Sequence, residues 1–190
     1  MYNRKYSTHI FEKSSIRQQA IQDLEHVCVL DCFHGKGEIW ENMHKLSKID
    51  KVQGIEKNKK LHSCFDTLYG DNLKLLKTID IDEYNVIDLD AFGSPFKQMD
   101  IIFARAQKPK VIIYTFCFSG MSGVPQEISR AKNIQKKCKT IINGYLDEMF
   151  SAYLKLHGVT EWYDITIKQN LRKSYGYFIY DSKKDLTRNQ

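Results

Sequence analysis

No stretch of this chain is apolar for long enough to cross a bilayer. The longest apolar run, VIIYTFCF at 111–118, falls far short of the ~20 residues that a membrane-spanning helix needs. The first residues, MYNRKYSTHIFEKSS, hold no apolar core of a secretory signal. The expectation is a protein that is neither secreted nor inserted in a membrane, working in the cytoplasm. The five cysteines, Cys28, Cys32, Cys64, Cys117 and Cys138, include no Cys-x-x-Cys pair. An odd count without that spacing argues against a disulfide framework or a zinc site. Most lie in apolar runs and read as reduced core residues. No internal repeat, linker or low-complexity segment divides the chain. Residues 1–180 read as one domain and 181–190 as a flexible tail.

What is present is a globular composition. Apolar residues make up 42% of the 190 and charged residues 27%, so a core is available and disorder is excluded. The net charge of +6 fits an anionic partner such as nucleic acid, or a lysine-rich solubilising surface.

Strand-like and helix-like segments alternate. Ser15 and Gln18 have capping-box spacing, followed by Ile16, Ala20, Ile21 and Leu24 at helical intervals. VCVLDCF at 27–33 is a short buried strand, HGKGEIWENMHKLS a glycine turn opening a helix, and KVQGIE at 51–56 a second strand. KNKKLHSCFDTLYG at 57–70 reads as a helix and LKLLKTI as a short one. YNVIDLD is a strand, 97–107 a helix, and KVIIYTFCFS a strand. Apolar residues from Ile128 to Leu156 recur at three and four, giving a long amphipathic helix that Asn143-Gly144 can split. EWYDITIKQ and YGYFIYD close the chain as an antiparallel pair. This order predicts an α/β fold, doubly wound on a mostly parallel sheet, with an antiparallel hairpin at its end.

In such a sheet the ligand crevice lies beyond the carboxyl ends of the strands. Asp31 ends the first strand, and Gly35 and Gly37 form the turn into the next helix. The dinucleotide fingerprint needs a third glycine where Trp40 stands. An acid at Asp31 also repels a pyrophosphate but suits a cationic ligand such as S-adenosylmethionine, with its ammonium and sulfonium. Glu56 ends the second strand, where an acid can take both ribose hydroxyls or simply be a surface glutamate beside Lys57, Lys59 and Lys60. Asp71 can accept from an adenine amino group, or simply form a turn.

In order and spacing, Asp31, Gly35, Gly37, Glu56 and Asp71 resemble the cofactor motifs of Rossmann-like S-adenosylmethionine-dependent methyltransferases. The resemblance spans nearly the whole chain. It implies seven strands ending in an antiparallel hairpin. It also implies a cofactor set of Asp31, Phe33, Gly35, Gly37, Glu56, Asp71, Asn72 and Asp88.

The fourth strand of that family ends at the point of methyl transfer. Here DLDAFGSP, 88–95, resembles the Asp-Leu-Asp-Pro-(Phe/Tyr)-Gly-Ser-Pro string of tRNA guanine dimethyltransferases, with Ala91 in place of proline. The resemblance implies that Asp90 and the Ala91 carbonyl accept the two hydrogens of an exocyclic amine while Phe92 stacks on the base. Proline would stiffen that carbonyl, and alanine loosens its aim. Asp88 either faces the cofactor's ammonium or orders the turn. Asp88 and Asp90 lack a third ligand for a metal, so none is expected.

FSGMSGVPQ after the fifth strand, with Ser119, is either a substrate loop or a plain connection. Arg130 and Lys132, with Lys136, Lys137 and Lys139, form a basic helix suited to phosphates or simply solvated. His34 reads as a residue of shape and not as a general base. The large C-terminal domain of the tRNA enzymes has no counterpart here, so a protein partner supplying target recognition is a further expectation.

Overall fold

A computed structural model of the chain describes residues 9–45, 49–91, 93–118, 145–167 and 172–185. Seven strands form one sheet: β1 (Cys28–Asp31), β2 (Lys51–Glu56), β3 (Asp66–Tyr69), β4 (Val86–Leu89), β5 (Lys110–Phe118), β6 (Trp162–Ile167) and β7 (Arg172–Tyr180). Their order is β3-β2-β1-β4-β5-β7-β6. The first five are parallel, and β7 runs antiparallel to both β5 and β6. The helices are α1 (Ile10–Ile21), α2 (Glu38–His44), α3 (Asn72–Leu75), α4 (Phe96–Arg105), α5 (Tyr145–Leu156) and α6 (Ser182–Asp185). The alternating pattern and the closing hairpin are therefore as the sequence predicts.

Strand periodicity of two sorts the core into two layers. Val29, Val52, Val86, Val111 and Ile113 point to one face, where Ile16, Ala20 and Ile21 of α1 and Trp40 and Met43 of α2 cover them. Leu30, Ile55, Ile87, Leu89, Ile112 and Tyr114 point to the other, against Met99 and Ile102 of α4 and Tyr153 and Leu154 of α5. A parallel sheet covered on both sides must be apolar on both, which is why β4 is buried at every position. Phe96 anchors the second layer, its ring 4.8 Å from Phe116 and 5.2 Å from Tyr153. Burying a side chain of that size contributes about 2 kcal/mol.

Three expectations are corrected. Ser15 does not cap a helix: α1 begins at Ile10 with His9 at its N-cap, and Ser15 lies within it. Residues 57–70 are not a helix but a loop running into β3. Leu61, Cys64, Phe65 and Leu68 have helical spacing, yet the β2 edge offers backbone hydrogen bonds along Gln53–Glu56 and the chain takes those. Cys64 is exposed, not a core residue, while Cys32 is buried as expected. Of the long helix expected over 128–156, the described part is α5, and the rest lies outside the described residues. Among the described residues no helix is long and apolar enough to cross a membrane.

One buried charge holds the sheet to its surroundings. Lys110 opens β5 at 1% exposure, with Nζ 2.8 Å from Asp82 Oδ1. Asp82 also accepts from the amides of Gln107 and Lys108. Burial works against its charge, but Lys110 and those amides outweigh burial and hold the Asp82 carboxyl below its ordinary value. Asp82→Ala strands the ammonium, and urea unfolding should show a loss of about 3 kcal/mol. A loss under 1 kcal/mol would show that Lys110 finds another partner.

Candidate active site

The crevice lies where the sheet order reverses, beyond the carboxyl ends of β1 and β4. Register places Asp31 beside Asp88 on one side and Gly54 on the other. The turn after β1 is fastened to both neighbours: Cys32 N–H donates to the Asp88 carbonyl at 2.9 Å, and His34 N–H to the Ile55 carbonyl at 3.1 Å.

Asp31 organises this turn. Its Oδ1 accepts from Phe33 N–H at 3.1 Å, and its Oδ2 lies 3.0 Å from His34 Nδ1. His34 Nε2 lies 2.7 Å from Ser63 Oγ, so the buried ring bridges β1 to the loop before β3. His34 is thus a residue of shape. The two glycines of the turn differ in their reasons. A Cβ on Gly37 would sit 2.6 Å from Ser63 Oγ and 2.7 Å from His34 Cε1, with φ at +76°. Gly54 likewise lies against the His34 ring. A Cβ on Gly35, at φ +58°, meets nothing within 4 Å. Gly37 makes room for His34, whereas Gly35 faces open space and lets a ligand approach its backbone. Gly37→Ala should lower stability by about 2 kcal/mol. Gly35→Ala should cost about 1 kcal/mol of strain while weakening ligand binding much more. Thermal melts with and without S-adenosylmethionine separate the two, and equal ligand shifts in both variants would overturn the distinction.

Glu56 stands at the same rim. Its Oε2 accepts from Gly35 N–H at 2.9 Å and its Oε1 from Asn58 N–H at 2.7 Å. Asp71 caps α3, with Oδ1 accepting from Leu73 N–H at 2.9 Å. Asn72 Nδ2 donates to the Cys32 carbonyl at 2.8 Å, and its Oδ1 accepts from Gln98 Nε2 at 3.0 Å. Asn72 therefore ties α3, α4 and the end of β1 together.

Asp88 of β4 and Asp90 just past its end are both held by α1. Asp88 is 0% exposed, and its Oδ2 accepts from Arg17 Nε at 2.7 Å and from Trp40 Nε1 at 2.8 Å. Trp40, where a dinucleotide fold would carry glycine, thus serves the acid beneath the crevice. Burial pushes the Asp88 carboxyl up to about 7, with Arg17 pulling down and Asp31 and Asp90 pushing further up. Asp90 lies one step beyond the strand and is 14% exposed at its side chain. Its Oδ2 is 2.6 Å from Lys13 Nζ and 3.5 Å from Arg17 Nη2. Burial opposes its charge, but Arg17, then Lys13 and a hydrogen bond with Thr115, hold it below its ordinary value. Arg17 Nη1 also donates to the Lys13 carbonyl at 2.9 Å, locking the two cations to one another. Ala91 is buried, its N–H on the Leu89 carbonyl at 2.7 Å, and Gly93 follows at φ +129°.

No family model matches the sequence, and no curated protein matches it. Solved structures do match. M. jannaschii TYW2 in complex with AdoMet has a TM-score of 0.59 and 17% identity, covering 94% of this chain and 78% of that one. Magnesium protoporphyrin IX methyltransferase from Synechocystis PCC 6803, with bound SAH, has a TM-score of 0.55 and 10% identity over 91% and 84%. A SAM-dependent methyltransferase from Archaeoglobus fulgidus has a TM-score of 0.53 and 14% identity over 85% and 74%. The chain has the Rossmann-like methyltransferase fold.

Within this methyltransferase fold, the structure brings Asp31, Gly35 and Glu56 together around the turn after β1 and sets Asp90 and Ala91 directly after the adjacent β4. Phe92, Ser119, Arg130 and Lys132 lie outside the described residues. Among the described residues no group of three His, Cys, Asp or Glu side chains can hold a metal. Burial, then the Asp31 and Asp88 charges, push the buried Cys32 thiol well above its ordinary value, which disfavours the thiolate that a nucleophile needs. Lys13, Arg17 and Gln98 were not singled out from the sequence. Lys13 and Arg17 stand four apart on one helix, but nothing in the α1 sequence names acids 71 and 77 residues away as their partners.

Proposed function

We propose that this chain is an S-adenosylmethionine-dependent methyltransferase that acts on an exocyclic amine of a nucleobase in RNA or DNA. One observation carries the reading: an acid held below its ordinary value, Asp90, follows the carboxyl end of β4, the strand paired with β1, whose turn carries the open Gly35. The fold neighbours crystallised with AdoMet or SAH support the cofactor.

The residues present fit that cofactor. Gly35 leaves backbone room that a side chain would fill, Glu56 offers carboxylate oxygens for ribose hydroxyls, and Asp31 brings negative charge toward an ammonium. S-adenosylmethionine supplies an electrophilic methyl group. The chain's part is to prepare the acceptor. An exocyclic amine is a poor nucleophile because its lone pair is delocalised into the ring. Asp90 accepts one N–H and the Ala91 carbonyl the other, which turns the lone pair out of the ring system, and Phe92 stacks on the base. With its carboxyl below the ordinary range, Asp90 takes a hydrogen bond and not the proton, which leaves to solvent. A base in a duplex would first have to flip out, so a loop or single strand is the easier target.

Methyl transfer from labelled cofactor to tRNA, other RNA and DNA tests the reading. Label in a nucleoside supports it. Label only in a metabolite would favour the small-molecule reading, as in the porphyrin methyltransferase neighbour, and label only in a protein would make the chain a protein methyltransferase. Activity appearing only with an added protein would mark the chain as one subunit of a pair.

A further inference from the structure

Lys13 helps to hold Asp90 in its charged form, and it also brings hydrogen-bond donors to the residue that matters most. Its Nζ lies 2.6 Å from Asp90 Oδ2, and the two side chains are 15% and 14% exposed. They therefore keep contact with solvent just past the carboxyl end of β4, whereas Arg17 and Asp88 are sealed at 3% and 0%. Lys13 does not arrive there by chance orientation. Arg17 fixes its carbonyl, and the Tyr175 ring lies 5.9 Å from its ammonium. An ammonium has three hydrogens. One serves Asp90, and among the described residues no acceptor takes the other two. The site thus presents an acceptor, Asp90, and immediately beside it a donor with two hydrogens that no described residue takes.

We infer that Lys13 is a specificity-determining residue, which selects a base whose exocyclic amine is flanked by a ring nitrogen with a free lone pair, as on the Watson–Crick edge of adenine or cytosine. The inference rests on the nucleobase reading above and narrows it. With the amine hydrogen on Asp90, the neighbouring atom of the base meets Lys13. In adenine that neighbour is N1 and in cytosine N3, both acceptors. In guanine the Watson–Crick neighbour of the amine is N1–H, a donor, which would face the ammonium donor to donor. Guanine's other neighbour, N3, lies on the edge crowded by the attached sugar. A polar mismatch inside a closed site is what rejects a wrong partner most strongly. The resemblance of DLDAFGSP to guanine-modifying enzymes therefore does not carry over to the base.

Two measurements test this. Cellular RNA and DNA are incubated with the full chain and labelled cofactor, digested, and the methylated nucleoside identified by mass. Methyl on adenine N6 or cytosine N4 is expected, with guanine N2 at least about tenfold lower. Separately, cofactor-free protein is titrated with fluorescent uridine tracts carrying one adenosine, cytidine or guanosine. The first two should bind several-fold more tightly than the third. Lys13→Met should bring the three bases to within about threefold of one another, and Lys13→Arg should restore the preference. Thermal melts with cofactor confirm that both variants fold. Guanine N2 as the main product overturns the role of Lys13 while leaving the nucleobase methyltransferase intact. An unchanged preference in Lys13→Met overturns it too. Cofactor binding with no nucleoside methylated, with or without added protein, overturns both readings.

Discussion

Asp90→Ala should abolish methyl transfer, lowering the rate at least about 100-fold, while S-adenosylmethionine binds within about threefold of its original affinity. The asymmetry follows from position. Asp90 lies past the end of β4, on Lys13 and within reach of Arg17. The residues assigned to the cofactor, Asp31, Gly35 and Glu56, hold one another through the β1 turn without it. Removing the carboxylate takes away the proposed acceptor of the amine hydrogen and frees Lys13 from its partner. Single-turnover transfer with saturating cofactor, paired with calorimetric titration, separates the two effects. Transfer within a few-fold of the unaltered chain would show that the amine is held elsewhere. An equal collapse of cofactor affinity would show that Asp90 serves the cofactor side.

The largest effect on stability is expected at Arg17. Arg17→Met leaves Asp88 at 0% exposure without its cation and should cost about 3–5 kcal/mol. The cost should grow with pH. Asp88 is raised in the folded protein, to about 7. The stability tied to its protonation is present in full below the unfolded value of 3.8 and is lost as pH rises through about 7. Without Arg17 the carboxyl rises further, so the loss extends to higher pH. The variant should thus lag the unaltered chain more at pH 8 than at pH 5. Asp90 works in the opposite sense, its contribution being present above 3.8 and lost as pH falls. A double variant, Arg17→Met with Asp88→Asn, should recover more than half of the loss, because the amide needs no counter-ion and can still accept from Trp40. Urea unfolding at the two pH values measures all of this. A pH-independent deficit, or no recovery in the double variant, would mean that Arg17 matters for packing on Trp40 (5.8 Å from its ring) and not for charge.

Much of the fold was legible because strands and helices leave different periods in a sequence. Alternating segments gave the parallel run, and the aromatic and β-branched ends gave the β6–β7 hairpin. The errors fell where local pattern met a tertiary competitor. Ser15 and Gln18 have the spacing of a cap, but α1 is capped six residues earlier, at His9, and the added helix carries Lys13 to Asp90. Leu61 to Leu68 have the spacing of a helix, but the β2 edge and the His34–Ser63 bridge draw them into a loop and strand.

By itself the sequence determined the chemistry available at each strand end: an acid at Asp31, two glycines in the next turn, acids at Glu56 and Asp90. Strand ends and glycine turns are local features, set by burial and backbone freedom within a few residues. Only the tertiary structure decided how those groups divide their work. It sent Asp88 down to Arg17 and Trp40 and left Asp90 at the mouth beside Lys13, it spent Gly37 on His34, and it kept Gly35 open. The reason is distance along the chain. A carboxylate's partner is chosen by what the fold packs against it, and α1 lies more than seventy residues from the strand whose acids it holds.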